Sequence, residues 1–228
     1  MRRRRSISPT ARSVVSHFQI RGSMMKIVVM SDTHGRHRDV EVPDGDVLVH
    51  AGDFTAHGSL ADVTEVDDWL STLPHPHKVV VAGNCDGCFE SRGAAARERL
   101  TEAVYLQDDG AEIDGVRFWG SPWQPRFMNL AFNLERGEPL AEKWARIPVE
   151  TDVLVTHGPP RDVLDRTSRG QVVGDRALGE RVRAVEPDLH LFGHVHESAG
   201  RETKWGIEFV NAACDRPGKT PFVVEYGG

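Results

Sequence analysis

An α/β fold of two packed sheets flanked by helices is predicted by three features of this 228-residue chain. Short apolar runs alternate with stretches of helical period. A group of closely spaced short strands around 104–119 interrupts that alternation. No low-complexity linker or internal repeat divides residues 25–226. Alternating strands and helices lead to a mostly parallel sheet, and the antiparallel interruption supplies material for a second sheet packed against it.

The first strand is expected over 26–30, followed by a basic loop, Arg36-His37-Arg38, and a turn at Val42-Pro43-Asp44-Gly45. A second strand fits 46–50. Residues 59–72 read as a helix, because Leu60, Val63, Val66, Trp69, Leu70 and Leu73 recur at three- and four-residue spacing, with Ser59 as N-cap and Pro74 as terminator. A third strand is expected over 78–82 and a helix over 91–102. Short strands at 104–106, 112–113 and 116–119, with Asp109-Gly110 and Asp114-Gly115 as tight turns, suggest an antiparallel meander. The irregular stretch 121–129 is too aromatic for a solvated loop. It reads either as core packing or, with Trp123, Arg126, Asn129 and residues up to Phe132, as a wall of a substrate groove. A short helix over 139–145, a strand over 152–156, a helix around 175–185 and strands over 189–193, 206–210 and 222–225 complete the chain.

The formal charge of −6 is unevenly spread. Six of the 28 basic residues fall in the first 22 positions, which hold no acid, so the remainder carries 22 basic against 34 acidic side chains, a net of −12. An acidic body of that kind argues against general binding of nucleic-acid polymers or anionic membranes, which need excess Lys and Arg. Residues 1–23 are expected to be a disordered Arg-rich extension, and 24–228 one folded domain; a transit peptide and a nucleic-acid-binding tail are the competing readings of the head. No stretch approaches the roughly 20 apolar residues of a membrane span. Three cysteines, Cys85, Cys88 and Cys214, make a disulfide framework a poor fit, and a cytoplasmic location follows as the expectation. Whether the chain forms a homodimer is left open.

The chemistry is concentrated where apolar runs end. Val28-Val29-Met30 leads into Ser31-Asp32-Thr33-His34-Gly35, Val47-Leu48-Val49 into Gly52-Asp53, Val79-Val80-Val81 into Gly83-Asn84-Cys85-Asp86, Val153-Leu154-Val155 into His157-Gly158, and 189–192 into Gly193-His194-Val195-His196. Ligands of open α/β sheets bind at the carboxyl ends of strands. Any one of these histidines alone reads as a hydrogen-bonded structural residue. Together, oxygen- and nitrogen-rich side chains at five such ends suit two divalent transition ions bridged by a carboxylate.

The ordered series Asp32-x-His34, Gly52-Asp53, Gly83-Asn84, His157 and Gly193-His194-x-His196 resembles the calcineurin-like metallophosphoesterase superfamily over residues 26 to about 214. Ser31-Asp32-Thr33-His34, 50–55, 104–108 and 156–160 are similar to the branch of brain-type metallophosphoesterase-domain proteins, which is akin to class III cyclic nucleotide phosphodiesterases. The resemblance implies a four-layer α/β/β/α sandwich of two mixed sheets. It implies one ion on Asp32, His34 and His196, another on Asn84, His157 and His194, and Asp53 bridging them. Manganese is the foremost metal expected, with iron, zinc or nickel as alternatives. The implied reaction is hydrolysis of a small or cyclic phosphodiester, a cyclic nucleotide included, by a metal-bridging hydroxide, with Asp53, Asn84, Cys85 and His194 nearest the chemistry. A phosphomonoesterase of nucleotides or phosphoproteins and a metal-binding interaction scaffold are the competing functions.

The third motif of the superfamily commonly reads Gly-Asn-His, whereas this chain has Gly83-Asn84-Cys85. A thiol cannot supply the cation of an imidazolium on the leaving-group side. Monoester dianions lose most by that change, which favours diesters as substrates. Asp86 then reads as a loop anchor, His50 as a group orienting a ligand, and His37 as a contact for substrate phosphate. His57, His75, His77 and His190 read as surface or packing residues. Cys85 and Cys88 also form Cys-x-x-Cys, but nothing else suggests a thioredoxin context, and with Cys214 alone a separate zinc site lacks a fourth ligand.

Overall fold

The computed structural model describes residues 24–215 and 218–227; the Arg-rich extension expected over 1–23 lies outside them. In chain order the elements are β1 (Met25–Met30), β2 (Val47–His50), α1 (Leu60–Ser71), β3 (His77–Val81), α2 (Gly87–Ser91), α3 (Gly93–Arg97), β4 (Val104–Leu106), β5 (Asp109–Ile113), β6 (Val116–Ser121), β7 (Gln124–Pro125), β8 (Asn133–Leu134) and α4 (Glu138–Trp144). They continue with β9 (Val153–Thr156), α5 (Arg176–Val185), β10 (Leu189–Phe192), β11 (Gly200–Lys204), β12 (Ile207–Asn211) and β13 (Phe222–Tyr226).

Two mixed sheets form the centre. One has the order β13-β1-β2-β3-β4 and the other β11-β12-β10-β9-β6-β5, while β7 and β8 make a small separate pair. In the first sheet β1 to β4 run parallel and β13 pairs antiparallel at the edge. In the second, β12, β10, β9 and β6 run parallel between antiparallel edges β11 and β5. Strands buried on both faces read as continuous apolar runs, which is why 26–30 and 153–155 show no alternation.

The pleat sorts those runs into two layers of core. Ile27, Val29, Val47, Val49, Val79 and Val81 of the first sheet face Val153, Val155, Leu189, Leu191 and Val210 of the second. Their neighbours Val28, Met30, Leu48 and Val80 point outward, under Val63, Val66, Trp69 and Leu70 of α1. On the far side, Leu154, Phe192 and Phe209 meet Leu140 and Trp144 of α4 and Leu178 and Val182 of α5. Helix, sheet, sheet and helix are thus stacked in four layers, as expected.

Helix ends follow their local chemistry. Ser59 Oγ accepts from Asp62 N at 3.1 Å and Asp62 Oδ2 accepts from Ser59 N at 3.0 Å, a reciprocal capping box at the start of α1. At α5, Asp175 Oδ1 accepts from Leu178 N at 2.8 Å and from Trp144 Nε1 at 2.9 Å, so one carboxylate caps α5 and ties it to α4. No described helix is long and apolar enough to cross a membrane.

Several expectations are corrected. The helix anticipated over 91–102 is reduced to α3 over 93–97, set off from the short α2 before it at Arg92, whose φ of −138° leaves the helical region. The meander does not form, because β4 pairs with β3 of the first sheet and the chain then crosses to the second, where only β5 and β6 make a hairpin. Asp109-Gly110 therefore begins a strand, and the bend lies at Asp108, with φ of 52°. The Asp114-Gly115 turn is present, both residues having positive φ. The edge strand β11 was not anticipated.

Candidate metal centre

Every anticipated ligand lies just past the carboxyl end of a parallel strand: Asp32 and His34 after β1, Asp53 after β2, Asn84 after β3, His157 after β9, and His194 and His196 after β10. The two sheets join at these ends. Ser31 bridges Ala213, Cys214 N donates to Ser31 O at 2.8 Å and His194 N donates to Asp32 Oδ2 at 2.9 Å. Residues separated by more than 160 positions are brought to one spot by the packing of sheet on sheet.

The geometry resolves into three overlapping groups. Ligand atoms of Asp32, His34 and His196 lie within 4.8 Å of one another, as do those of Asp32, Asp53 and His157 and those of His34, Asp53 and Cys85. His196 Nε2 is 3.2 Å from Asp32 Oδ1, and His34 Nε2 is 4.0 Å from Asp53 Oδ2. On the other side, His157 Nε2 is 3.5 Å from Asp53 Oδ1 and 3.0 Å from Asn84 Oδ1, and the His157 and His194 ring centroids are 5.0 Å apart. Asp53 turns one carboxylate oxygen to each side.

A cation suits this arrangement on chemical grounds. His157 Nδ1 lies 2.9 Å from the Ala51 carbonyl, which can only accept, so Nδ1 carries the proton and the Nε2 lone pair faces the oxygens of Asn84 and Asp53. Three acceptors converging in a buried space repel unless a proton or a metal lies between them. In the absence of metal, burial disfavours the His157 cation, but the carboxylates of Asp53 and Asp32 outweigh it and hold its pKa above the usual value. Burial likewise opposes ionisation of Asp32, yet its hydrogen bond from His196 and the nearby His157 keep its carboxyl well below the usual range. The pKa of His194, unlike that of His157, is lowered, to about 4, by burial and by the nearby His157.

Four of the seven ligands, Asp32, His34, Asp53 and His194, adopt left-handed backbone conformations with φ between 47° and 68°. Non-glycine residues rarely do so, at a cost of order 1–3 kcal/mol each, and such strain gathers at functional sites. Glycines permit the close approach. A Cβ on Gly83 would lie 2.2 Å from Asp53 Oδ1, and one on Gly193 2.2 Å from Asp32 Oδ2.

The surrounding groups hold this core in place. Asp86, fully buried, accepts from Asp53 N at 2.8 Å, Gly83 N at 2.7 Å, Thr55 N at 2.9 Å and Thr55 Oγ1 at 2.7 Å, which makes it the anchor of both the 52–55 and 83–86 loops. Burial and the Asp53 charge push its pKa up, against the pull of those donors. His50 Nε2 is 3.0 Å from Thr33 Oγ1, between Asp32 and His34 in sequence, so it steadies the first ligand loop rather than a ligand side chain. Cys85 N donates to Asp53 Oδ1 at 2.7 Å, while burial and the same carboxylate raise the Cys85 thiol far above its usual pKa, leaving it protonated. All three cysteines are free, and Cys88 is buried with its thiol directed at Ser59 O.

Two expected substrate contacts are displaced. His37 is 3% exposed, its ring 4.8 Å from that of Trp69, and burial lowers its pKa to about 4, so it packs beneath α1 and does not face the site. Trp123 is held away by a hydrogen bond from Nε1 to Asp108 Oδ2 at 2.9 Å, an edge contact with Phe132 and the Lys143 ammonium over its ring. Phe127 is the residue of that stretch at the centre, its ring edge-on to His194 at 5.5 Å. Sequence reasoning also missed Asp215, whose Oδ2 is 3.2 Å from His196 Nδ1. Its signal was the one used elsewhere, a polar residue just past an apolar strand, here β12.

Comparison with known proteins agrees with the geometry. The chain is 38% identical to human "Metallophosphoesterase domain-containing protein 1", over 88% of this chain and 70% of that one. It is 39% identical to a UPF0046 protein of Caenorhabditis elegans, over 84% of this chain and 71% of the other. The solved structure of TT1561 from Thermus thermophilus shares the fold, with a TM-score of 0.59 at 14% identity, over 89% of this chain and 99% of that one. Residues 25–198 match the calcineurin-like phosphoesterase family, and the chain belongs to it.

Proposed function

We propose that this protein is a phosphoric diester hydrolase that works with two divalent ions on a small or cyclic phosphodiester, a cyclic nucleotide included. Asp32, His34 and His196 would hold one ion, Asn84, His157 and His194 the other, and Asp53 both. The observation that carries the reading is the position of Asp53, with one carboxylate oxygen toward His34 and the other toward His157, whose Nε2 also faces Asn84 Oδ1. A pair of divalent ions in such a site lowers the pKa of water toward neutrality and neutralises charge on phosphate oxygens.

The chain's own residues prepare for that chemistry. Asp86 locks the loops bearing Asp53 and Asn84, the Ala51 carbonyl sets which nitrogen of His157 faces inward, and Asp215 holds His196. Asn84 contributes an oxygen without a negative charge. The protonated thiol of Cys85 adds neither a cation nor a ready proton beside Asp53, which favours diesters, whose single charge needs less compensation than a monoester dianion. Manganese is the foremost metal proposed, with iron, zinc or nickel as alternatives, and the three free thiols accord with a reducing, cytoplasmic setting.

The test is to strip the protein with chelator, reload it with manganese, and assay bis(4-nitrophenyl) phosphate, 4-nitrophenyl phosphate, and 2′,3′- and 3′,5′-cyclic nucleotides. Faster turnover of the diesters is expected. Faster turnover of the monoester overturns the diester reading, and metal binding without turnover of any ester overturns the hydrolase reading.

A further inference from the structure

We infer that the loop bearing Phe127 and Met128 is an apolar specificity surface for one ester substituent of the substrate, so that diesters with an aromatic or otherwise apolar group are preferred. The inference rests on the proposed phosphodiesterase site and names what lies beside the phosphoryl group.

Large apolar side chains are rarely exposed together without a function. Here Phe127 is 48% exposed, Met128 72% and Leu130 36%, close together in one loop beside the ligands. The loop is tied down at several points. Asn133 Oδ1 accepts from Phe127 N at 3.1 Å, Asn133 Nδ2 donates to Phe127 O at 3.1 Å, Arg126 N donates to Leu134 O at 2.9 Å, and Arg126 pairs with Glu135. Met128 takes a left-handed backbone, with φ of 53°. Fixing a strained apolar tip in the open, instead of folding it inward, is costly unless something covers it.

Its place says what covers it. Ala131 N donates to Asn84 O at 3.1 Å, and the Phe127 ring meets His194 edge-on, so the loop is attached to two ligands of the Asn84, His157 and His194 side. On the other side, beside His196, an open cleft of about 400 Å³ is lined by Ser168, Glu197, Ala199 and Lys219. A phosphodiester held between the sides would direct one substituent to each. The aromatic edge of Phe127 and the thioether of Met128 suit a flat, apolar group.

The experiment compares phenylphosphonate with methylphosphonate as ligands of the manganese-loaded protein by calorimetry, in wild type, Phe127→Ala and Phe127→Leu, alongside KM for bis(4-nitrophenyl) phosphate. Wild type is expected to bind the phenyl compound about 3- to 10-fold more tightly than the methyl compound. Phe127→Ala should lose that preference, with methylphosphonate affinity and manganese content unchanged, and Phe127→Leu should keep most of it. KM for the diaryl ester should rise by a similar factor in Phe127→Ala, with kcat changed less than twofold. Equal affinity for the two phosphonates in wild type, or an undiminished preference in Phe127→Ala, overturns the inference. Absence of ester turnover with the phosphonate preference intact overturns the hydrolase reading and leaves the apolar surface standing.

Discussion

Asp215 Oδ2 lies 3.2 Å from Nδ1 of His196, whose Nε2 is 3.2 Å from Asp32 Oδ1, so the imidazole is clamped between two carboxylates with Nδ1 directed away from the centre. Asp215 is itself held, by Lys219 Nζ at 3.0 Å and by Arg36 on its carbonyl. A carboxylate behind a metal-binding histidine fixes ring orientation and raises basicity, and losing it typically costs about 10- to 100-fold in metal affinity. Asp215→Ala should weaken manganese binding by that order, measured by chelator competition, with the folded circular dichroism spectrum retained. Unchanged affinity would mean that Asp32 alone orients His196.

Exchange of Cys85 for histidine tests why diesters are favoured. Cys85→His introduces an imidazole that can carry charge beside Asp53, and the ratio of monoesterase to diesterase kcat/KM should rise by roughly tenfold or more, with the 10²–10⁴ contribution of general acid catalysis as its ceiling. A constant ratio with both substrates would show that the missing cation does not set the preference.

Gly83→Ala should be severe. The added Cβ would lie 2.2 Å from Asp53 Oδ1 and 2.5 Å from Asp53 N, and Asp53 cannot retreat because its N–H is bonded to Asp86. Overpacking there should cost roughly 1–3 kcal/mol and abolish metal binding. Gly93→Ala is the contrast, with no atom within 4 Å of the new Cβ, and should be neutral or stabilising by up to about 1 kcal/mol. Urea unfolding and metal analysis of the two variants check both.

His190 should make the protein acid-sensitive. It is fully buried, its Nε2 lies 2.8 Å from Thr156 Oγ1, and burial lowers its pKa to about 3. Because the unfolded chain takes up this proton near pH 6.5 and the folded chain does not, the stability due to neutral His190 is complete above pH 6.5. It falls by up to about 1.4 kcal/mol per pH unit as pH drops toward 3. Between pH 6 and 4 His190→Leu should therefore lose stability less steeply than wild type in urea unfolding at matched metal content. Parallel slopes would contradict the assignment.

Two packed sheets flanked by helices and the approximate positions of seven candidate ligands could be read from the linear order of residues, because both depend on local regularities, whereas the four-layer order came from the family resemblance. Continuous apolar runs mark strands buried on two faces, and the turn after each run places the next polar residue at a sheet edge. Ser59 with Asp62 announced α1 in the same way. Where packing rather than pattern governed the outcome, reading the chain failed. Residues 104–106 have the composition of a hairpin strand but complete the first sheet beside β3, since pairing partners far apart in sequence carry no local signal. His37 and His50 are equally polar on paper, yet one is covered by Trp69 and the other meets Thr33. The clamp of Asp215 on His196, the four donors gathered by Asp86 and the contact of Phe127 with His194 all arise from contacts between separate strand ends and loops. Apart from Gly83, which shares Asp86's own loop, their partners become neighbours only when strands distant in the sequence are laid side by side, which no periodicity within either segment can encode.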